Sequence, residues 1–236
     1  MITFVPARGG SKGLPRKNIL PLGGRPLITH TLICARASTA VSRIIVTTDD
    51  PEIRDAALTV DGVEVPFLRP SALASDDASA VDVYLHAADW LRENENIDVA
   101  QFCVLLPTTP LRLPQDVDGA ISLYRQRCAE VVVSVCSAKP LGFYQEMSTD
   151  GALSDIDGIS TSMANRQALE PAVALNGAVY VINTEKLRRT RSYFGPRSYG
   201  YRMPAVRSID IDTAADLALA DVLYTAADAG QFALDA

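Results

Sequence analysis

The sequence has few of the features that mark membrane, secreted or zinc-binding proteins. No apolar run in the 236 residues reaches the ~18 residues that a transmembrane helix needs, and the N-terminal residues do not resemble a secretory signal. We therefore expect a cytoplasmic protein that does not bind membranes. The four cysteines are scattered, without a CxxC pair, which favours reduced core residues over a disulfide framework. With only two histidines, a zinc site is not expected.

Acidic residues are missing from one part of the chain. The whole sequence carries 22 Lys and Arg against 28 Asp and Glu, a net charge of −6 that disfavours a nucleic-acid-binding protein. Residues 1–48, in contrast, contain seven basic side chains and no acidic one. Two of the chain's four lysines, Lys12 and Lys17, fall in one short loop of this region. An electropositive loop on an acidic protein favours a small anionic ligand, and chance clustering in an arginine-rich sequence is the alternative.

Apolar runs that alternate with helical patterns predict an α/β fold with one doubly wound, mainly parallel sheet. The length allows one large domain, so we treat residues 1–236 as one. We predict strands at 2–7, 43–48, 63–67, 101–106, 131–136 and 178–182, and helices starting at Pro26 and covering 51–58, 78–92, 115–126 and 213–227. The pattern is lost over residues 137–173, which fits a flexible insertion, an antiparallel excursion or an oligomerisation arm.

The first predicted strand leads into the glycine-rich loop, residues 8–18 (RGGSKGLPRKN). Ligands of open α/β sheets bind beyond the carboxyl ends of the strands. The three glycines allow backbone N–H groups to approach an anion, and Arg8, Lys12 and Lys17 add positive charge, which suits a polyphosphate. The loop matches neither the Walker A motif nor GxGxxG, so neither a P-loop ATPase nor an NAD-dependent oxidoreductase is supported. A surface turn with solvated lysines is the alternative.

An acidic segment, residues 208–213 (SIDIDT), lies near the end of the chain. Its alternation predicts a strand with Asp210 and Asp212 on the same face. Two neighbouring carboxylates repel each other unless a cation neutralises them, and carboxylate oxygens suit an Mg²⁺ ion that also binds substrate phosphates. The alternative is a solvated edge strand in which Asp212 or Thr213 caps the last helix.

Two arginines follow other predicted strands. Arg69 can donate to the acceptor edge of a nucleobase, or it can pair with Asp76 or Asp77. Arg112 ends the proline-bracketed turn PTTPLR, where a surface ion pair and a ligand contact are equally consistent with the sequence.

These motifs together resemble those of the CMP-acylneuraminate synthetase family of cytidylyltransferases. The resemblance covers almost the whole chain, with motifs in the family's order at residues 7–18, 68–76, 107–112, 176–180 and 208–213. It implies a Rossmann-like nucleotidyltransferase that transfers CMP from CTP to an acidic acceptor and releases pyrophosphate. It also implies a homodimer in which residues 139–173 form an arm that completes the partner's acceptor site.

The resemblance further implies roles for individual residues. Those expected to bind CTP are Ala7, Arg8, Gly9, Ser11, Lys12, Lys17, Asn18, Arg69 and Ala80. Those expected to be catalytic are Arg8, Lys17, Asp210 and Asp212, with the two aspartates holding Mg²⁺. Those expected to bind the acceptor are Leu106, Thr108, Arg166, Asn176 and Tyr180, with Arg166 lent to the partner's site. Within this set, the resemblance implies that Lys17 lies nearest the transferred phosphorus and that Arg69 recognises cytosine.

Several positions depart from the family pattern. Leu106 stands where typical sialate enzymes have a glutamine that contacts the sugar acid, and no arginine precedes Asn176. Ala80 replaces a serine near the cytosine, and Lys139 matches a lysine of the arm only loosely. A site that recognises hydroxyl groups needs its polar anchors, so the acceptor is either a sialic-acid-like 2-keto sugar acid or a small phosphonate such as phosphonoformate.

A non-catalytic nucleotide-binding protein of the same fold is the alternative from another functional class. A protein that only binds nucleotide has no need for the metal pair Asp210 and Asp212, nor for Lys17 at the reacting phosphate. The presence of all three residues therefore favours an enzyme.

Overall fold

The computed structural model describes residues 1–139, 145–155, 172–231 and 233–234. The strands and helices, in chain order, are β1 (Ile2–Pro6), β2 (Pro21–Leu22), β3 (Arg25–Pro26), α1 (Leu27–Ala37), β4 (Arg43–Thr47), α2 (Pro51–Leu58), β5 (Val63–Glu64), α3 (Ala80–Glu95), β6 (Gln101–Val104), α4 (Pro114–Gln126), β7 (Val131–Ala138), β8 (Gln145–Met147), β9 (Leu153–Asp155), β10 (Ala172–Asn183), α5 (Thr184–Thr190), β11 (Ser198–Arg202) and α6 (Ala214–Asp228). Among these helices, none has the length and apolarity needed to cross a bilayer.

Seven strands form one sheet in the order β11-β7-β10-β6-β1-β4-β5. Strand β10 pairs antiparallel with both β6 and β7, whereas the other neighbouring pairs are parallel. The mainly parallel sheet that the sequence predicts is therefore confirmed. Two short antiparallel pairs, β2–β3 and β8–β9, lie outside it.

Helices cover both faces of the sheet. Val5 of β1 belongs to a buried cluster with Ile28 of α1 and Ile121 of α4. Its neighbour Phe4 points to the other face and belongs to a second cluster with Leu85 of α3. Strands that are covered on both faces become continuous apolar runs, which is why most of them could be located from the sequence.

Local side-chain contacts fix where the helices begin. Asp50 accepts hydrogen bonds from the first turn of α2, and Pro51 occupies its first position. Ser79 caps α3 in the same way. Thr213 and Asp216 form a reciprocal capping box at the start of α6, which confirms Thr213 as the cap of the last helix.

The strand predicted at residues 208–213 is wrong. The segment follows a 3₁₀ turn (Ala205–Arg207) and is irregular. Its apolar residues, Ile209 and Ile211, instead pack with Leu22 and Leu27 in a small separate cluster. Burial in that cluster produces the same alternation of apolar and polar residues that a strand would show.

The predicted arm at residues 139–173 is described only in part. Strands β8 and β9 form an antiparallel hairpin within it, as one of the three alternatives anticipated. Residues 140–144 and 156–171, among them Arg166, lie outside the described residues. The role of the arm in a dimer therefore stays a prediction.

A buried ion pair ties α4 to the segment before α6. The Arg207 guanidinium donates two hydrogen bonds to the Asp116 carboxylate, with N–O distances of 2.8 and 2.9 Å. Both side chains are buried. The same carboxylate also accepts a hydrogen bond from the Leu113 backbone N–H at the start of α4. Removing the carboxylate leaves an uncompensated buried charge, which is far more costly than the loss of an exposed pair.

We expect Asp116→Ala to lower the free energy of unfolding by about 3–5 kcal/mol, measured by urea denaturation followed by circular dichroism. The control is Asp61→Ala, which removes the exposed partner of Arg36; that loss is expected to stay below about 1 kcal/mol. Similar losses in the two variants would contradict the assignment of a structural role to the buried pair.

Candidate active site

A cavity of about 360 Å³ opens at the carboxyl-end edge of the sheet. Pro6 and Arg8 border it where β1 ends, Leu106 borders it after β6, and Ala80 and Tyr84 of α3 close one side. This is the edge at which open α/β sheets bind ligands. The motifs at residues 7–18 and 68–76 therefore both line this cavity, the first through Arg8 and the second through Arg69 and Asp76.

The glycine-rich loop is held in place on one side by the end of β4. The Gly9 backbone N–H donates to Asp49 Oδ1 at 3.1 Å, and the Asn18 amide donates to the Arg8 carbonyl oxygen at 3.0 Å. A Cβ atom on Gly9 would lie 2.5 Å from Asp50 Oδ2. A side chain at position 9 would therefore have to displace the Asp50 side chain.

On its other side, the glycine-rich loop contacts the acidic segment. The Lys17 ammonium lies 2.9 Å from Asp212 Oδ1 and donates to the Ile211 carbonyl oxygen at 2.5 Å. A Cβ atom on Gly13 would lie 2.6 Å from the Asp212 carbonyl oxygen. The two segments that the sequence analysis singled out are therefore in direct contact, although they lie at opposite ends of the chain.

Asp210 lies beside Asp212 and next to the turn that follows β6. Partial burial raises the pKa of the Asp210 carboxyl; the Thr108 hydroxyl opposes this with a hydrogen bond, and the Asp212 carboxylate raises the pKa further. A Cβ atom on Gly177, whose φ is +70°, would lie 3.5 Å from Asp210 Oδ2. Asp210 therefore faces the bend in β10.

The two aspartates fit a divalent cation that is shared with a ligand. The described residues contain no group of three or more His, Cys, Asp or Glu side chains that would hold a metal alone. Asp210 and Asp212 are two mutually repelling carboxylates, a donor set of the chemistry that Mg²⁺ prefers. Mg²⁺ commonly takes one or two carboxylates and completes its shell with water and substrate phosphates.

Arg69 is buried, with 6% of its surface exposed. It donates to the Thr47 carbonyl oxygen at 2.8 Å and to the Leu73 carbonyl oxygen at 3.4 Å. Its Nε atom has no partner among the described residues. Burial lowers the pKa of Arg69. The alternative in which Arg69 pairs with Asp76 or Asp77 is wrong: Asp76 pairs with Arg8 and Lys12, and Asp77 forms no ion pair among the described residues.

Asp76 instead pairs with two cations of the glycine-rich loop. Its Oδ1 atom lies 3.1 Å from Arg8 Nη1, and its Oδ2 atom lies 3.0 Å from Lys12 Nζ. Arg8 also donates to the Ser75 carbonyl oxygen at 3.3 Å. The positive charge that the sequence predicts for this loop is therefore partly neutralised within the protein.

The surface ion pair considered for Arg112 is wrong. The side chain is buried and donates to the Thr31 hydroxyl at 2.9 Å and to the Leu106 carbonyl oxygen. It therefore supports the turn after β6, and the contact with a ligand stays a prediction. Thr108 in that turn accepts a hydrogen bond from the Ile211 backbone N–H at 2.8 Å, which holds the acidic segment.

The remaining predicted residues occupy different environments. Ala7 is buried at the end of β1, and Ser11 is half-buried in the loop. Asn176 is buried, and its amide is engaged by Ser134, Ala178, Ser208 and Met203. Its side chain therefore holds the bend of β10 and the start of the acidic segment. Arg166 lies outside the described residues.

Tyr180 lies on β10 close to Asp210. Burial raises the pKa of Tyr180 to about 12, with further contributions from Tyr193 and from the Asp210 carboxylate. The ring centroids of Tyr180 and Tyr193 are 5.5 Å apart. Both tyrosines pack against the buried cluster that contains Tyr84.

Sequence reasoning missed three residues near the site. Asp49, which anchors Gly9, directly follows a predicted strand, so its position at the ligand edge could have been inferred. Asp76 lies in a recognised motif, but only Arg69 was considered as its partner. Tyr193 follows α5, far from every motif, and nothing in the sequence signals its contact with Tyr180.

The comparisons with protein families identify a nucleotidyltransferase. Residues 2–140 match the family model described as Cytidylyltransferase. The chain is 32% identical to the CMP-N,N'-diacetyllegionaminic acid synthase of Legionella pneumophila, over 94% of this chain and 95% of that protein. The chain belongs to the cytidylyltransferase family.

A second group of relatives is longer. The chain is 35% identical over 218 residues to the N-acylneuraminate cytidylyltransferase of Streptococcus agalactiae, covering 91% of this chain and 51% of that protein. The chain therefore spans about half the length of these relatives.

Solved structures share the fold. The structure of CMP:2-keto-3-deoxy-manno-octonic acid synthetase complexed with CTP has a TM-score of 0.70 at 18% identity, over 95% of this chain and 98% of that one. The 4-diphosphocytidyl-2C-methyl-D-erythritol synthase of Anaerococcus prevotii has a TM-score of 0.61 at 11% identity, over 95% and 96% of the two chains. The predicted fold class is confirmed.

The close contact at Gly13 generates a prediction. We expect Gly13→Ala to push the loop away from the acidic segment and to lower the rate of nucleotidyl transfer about 100-fold, as misplacement by about 1 Å does elsewhere. Gly10→Ala is the matched control, because a Cβ atom there meets no atom within 4 Å, and it should remain near the parent rate. Steady-state pyrophosphate release measures both. Equal rates in the two variants would show that the contact does not position the loop.

Proposed function

We propose that the protein transfers CMP from CTP to an acidic sugar acceptor in the presence of Mg²⁺ and releases pyrophosphate. The observation that carries this proposal is the contact of Lys17 with Asp212 and the Ile211 carbonyl. It joins a cationic, glycine-rich loop to a pair of carboxylates at the edge of the sheet where ligands bind. Family membership supports the use of CTP.

The proposed reaction is a nucleophilic substitution at phosphorus. An oxygen of the acceptor forms a bond to the α-phosphorus of CTP, while the bond from that phosphorus to the oxygen bridging the β-phosphate breaks. The departing pyrophosphate takes the electrons of that bond. Such a transfer depends on positioning and on charge stabilisation more than on covalent chemistry by the protein.

The glycine-rich loop supplies the positive charge for this step. Lys17 is the less exposed of the two loop lysines: 11% of its side chain is accessible to solvent, against 74% for Lys12. We place Lys17 at the transferred α-phosphate, where desolvation strengthens its electrostatic effect. Arg8, Lys12, Ser11 and backbone N–H groups of the loop hold the other phosphates. Gly9 and Asn18 fix the shape of the loop, through Asp49 and through the Arg8 carbonyl oxygen.

The two aspartates would hold Mg²⁺ against the phosphates. The ion would offset negative charge on the nucleotide and on the leaving pyrophosphate. The Lys17 ammonium already offsets the charge of Asp212. An ion bound by Asp210 and Asp212 would add to this positive charge or would take the place of Lys17 beside Asp212.

The cavity next to Arg69 suits the cytosine ring. Arg69 is fixed by two carbonyl groups and borders the cavity together with Ala80 and Tyr84. A buried guanidinium with fixed geometry is suited to the acceptor edge of a base. The Ala7 backbone lies at the end of β1, on the adjoining part of the same edge.

The acceptor site lies on the other side of Asp210. Tyr180 and Thr108 lie next to this carboxylate, and Leu106, which lines the nucleotide cavity, adjoins the same bend of β10 at Gly177. The names of the relatives refer to N-acylneuraminate, N,N'-diacetyllegionaminic acid and pseudaminic acid, which supports a sialic-acid-like 2-keto sugar acid as the acceptor. Asn176 acts by holding the bend of β10, and Arg166 remains the residue proposed for the acceptor carboxylate.

The same proposal includes a homodimer in which residues 139–173 reach the partner. Its support is the exposed apolar surface of Val173 and Leu175, at the end of β10 that adjoins this segment. Sedimentation velocity of the full chain tests it, with a monomer at micromolar concentration as the contrary result.

The reaction class is tested by pyrophosphate release with each of the four nucleoside triphosphates. We expect release only with CTP and only when both an acceptor and Mg²⁺ are present, and EDTA should abolish it. Binding of CTP without pyrophosphate release across a broad panel of acidic acceptors would instead support the non-catalytic alternative.

The acceptor is tested by setting nonulosonic acids against small phosphonates in the same assay. We expect higher kcat/KM with the sugar acids. A preference for phosphonoformate would instead identify a small phosphonate as the acceptor. That result would fit Leu106, which stands where typical sialate enzymes have a glutamine.

Substitutions at the two contacting residues test their roles. We expect Lys17→Ala and Asp212→Asn each to lower kcat at least about 100-fold, the usual effect of removing one preorganised charge partner, while circular dichroism and the melting temperature change little. Asp61→Asn, at an exposed acid far from the cavity, is the control. Near-normal turnover of both active-site variants would rule out the proposed roles.

A further inference from the structure

A carboxylate lies at the rim of the cavity proposed for a nucleotide triphosphate. Asp76 borders this cavity, and its two oxygens lie 3.1 Å from Arg8 Nη1 and 3.0 Å from Lys12 Nζ. Negative charge at this position repels a polyphosphate. The same cations that the proposed function assigns to phosphates are therefore occupied by an internal anion.

The pairing is suited to being reversible. The side chain of Asp76 is 43% exposed and that of Lys12 is 74% exposed. Ion pairs this exposed are weak, so a ligand with several negative charges competes with them effectively. The hydrogen bond from Lys12 lowers the pKa of Asp76, and the charges of Lys12 and Arg8 lower it further, so the carboxylate remains ionised at neutral pH.

Arg8 also links the Asp76 segment to the glycine-rich loop through the Ser75 carbonyl oxygen. On the inner side, Arg69 holds the same segment through the Leu73 carbonyl oxygen. The segment is thus fixed between Arg69, which is proposed to bind the base, and Arg8, which is proposed to bind the phosphates. Its carboxylate is held where it competes with the phosphates.

We propose that Asp76 is an internal competitor for the triphosphate, which occupies Arg8 and Lys12 until a polyphosphate displaces it. This rests on the proposed function for the placement of the phosphates. Displacing Asp76 costs the same free energy for every ligand that contacts both cations. Asp76 therefore weakens the binding of all polyphosphates by the same factor. The binding of cytidine, which has no phosphate, is unaffected. It therefore sets the affinity for the charged part of the ligand.

Two other roles for Asp76 predict different results. If Asp76 accepted hydrogen bonds from the ribose hydroxyls, it would strengthen the binding of CTP and of cytidine. If it acted only through the general negative field of the protein, the adjacent Asp77 would have the same effect. Asp77 is exposed and forms no ion pair among the described residues, so it is a matched control.

The experiment compares the parent protein, Asp76→Asn and Asp77→Asn by isothermal titration calorimetry with CTP, inorganic tripolyphosphate and cytidine at low ionic strength. We expect Asp76→Asn to bind CTP and tripolyphosphate about two- to fivefold more tightly, which corresponds to an exposed ion pair. Asp77→Asn should change these affinities less, and cytidine should bind all three proteins equally. The gain should shrink as salt screens the pair.

Weaker binding of CTP to Asp76→Asn, equal gains in the two variants, or no change in tripolyphosphate affinity would each overturn the proposal. A second comparison introduces Asp76→Asn into the Arg8→Ala, Lys12→Ala double variant. There, Asp76→Asn should no longer increase the affinity for CTP or tripolyphosphate. The proposed function is tested separately by the same titrations. Tripolyphosphate affinity that is unaffected by Arg8→Ala, Lys12→Ala would show that the phosphates bind elsewhere, whatever the effect of Asp76→Asn.

Discussion

The candidate site depends on one ammonium group. Lys17 donates to the Ile211 carbonyl oxygen and to the Asp212 carboxylate, and these groups lie almost two hundred residues later in the chain. An ammonium group has three donors, so two can hold the acidic segment while a third faces a ligand. The contact also means that the site forms only when the N-terminal and C-terminal parts of the chain are both in place. Its assembly is therefore part of the folding of the whole domain.

The antiparallel strand β10 determines what lies next to this contact. It enters between β6 and β7, and its pairing with β7 shifts register between Leu175 and Tyr180. The shift includes Gly177, whose positive φ makes room beside Asp210. Asn176 fixes the bend through Ser134 and Ser208. A parallel strand at this position would arrive from the opposite direction and would not bring this bend to the carboxyl-end edge.

Most of the fold could be predicted because a sheet buried on both faces produces apolar runs, as in the alternation of Phe4 and Val5 between two clusters. The glycine-rich loop and the acidic segment could be recognised by their residue types. Their internal partners could not. The alternation of Ile209 and Ile211 is the same for a strand and for a loop that fills a small cluster. Nor does the sequence distinguish a buried Arg112 that binds backbone groups from one at the surface, because this depends on Thr31 in a distant helix.

Residues 1–48 contain no acidic side chain, so the counter-charges of their cations come from later parts of the folded chain. Arg8, Lys12 and Lys17 have to take their counter-charges from later segments, and Asp76 and Asp212 provide them. The repulsion among these three cations is thereby relieved without any acid inside the loop itself. Because these carboxylates belong to other elements, they can separate from the cations without unfolding the loop. An acid within the loop would stay close to the cations in every state. The segregation of charge along the sequence therefore means that the positive charge of the loop is offset only by carboxylates from other parts of the chain.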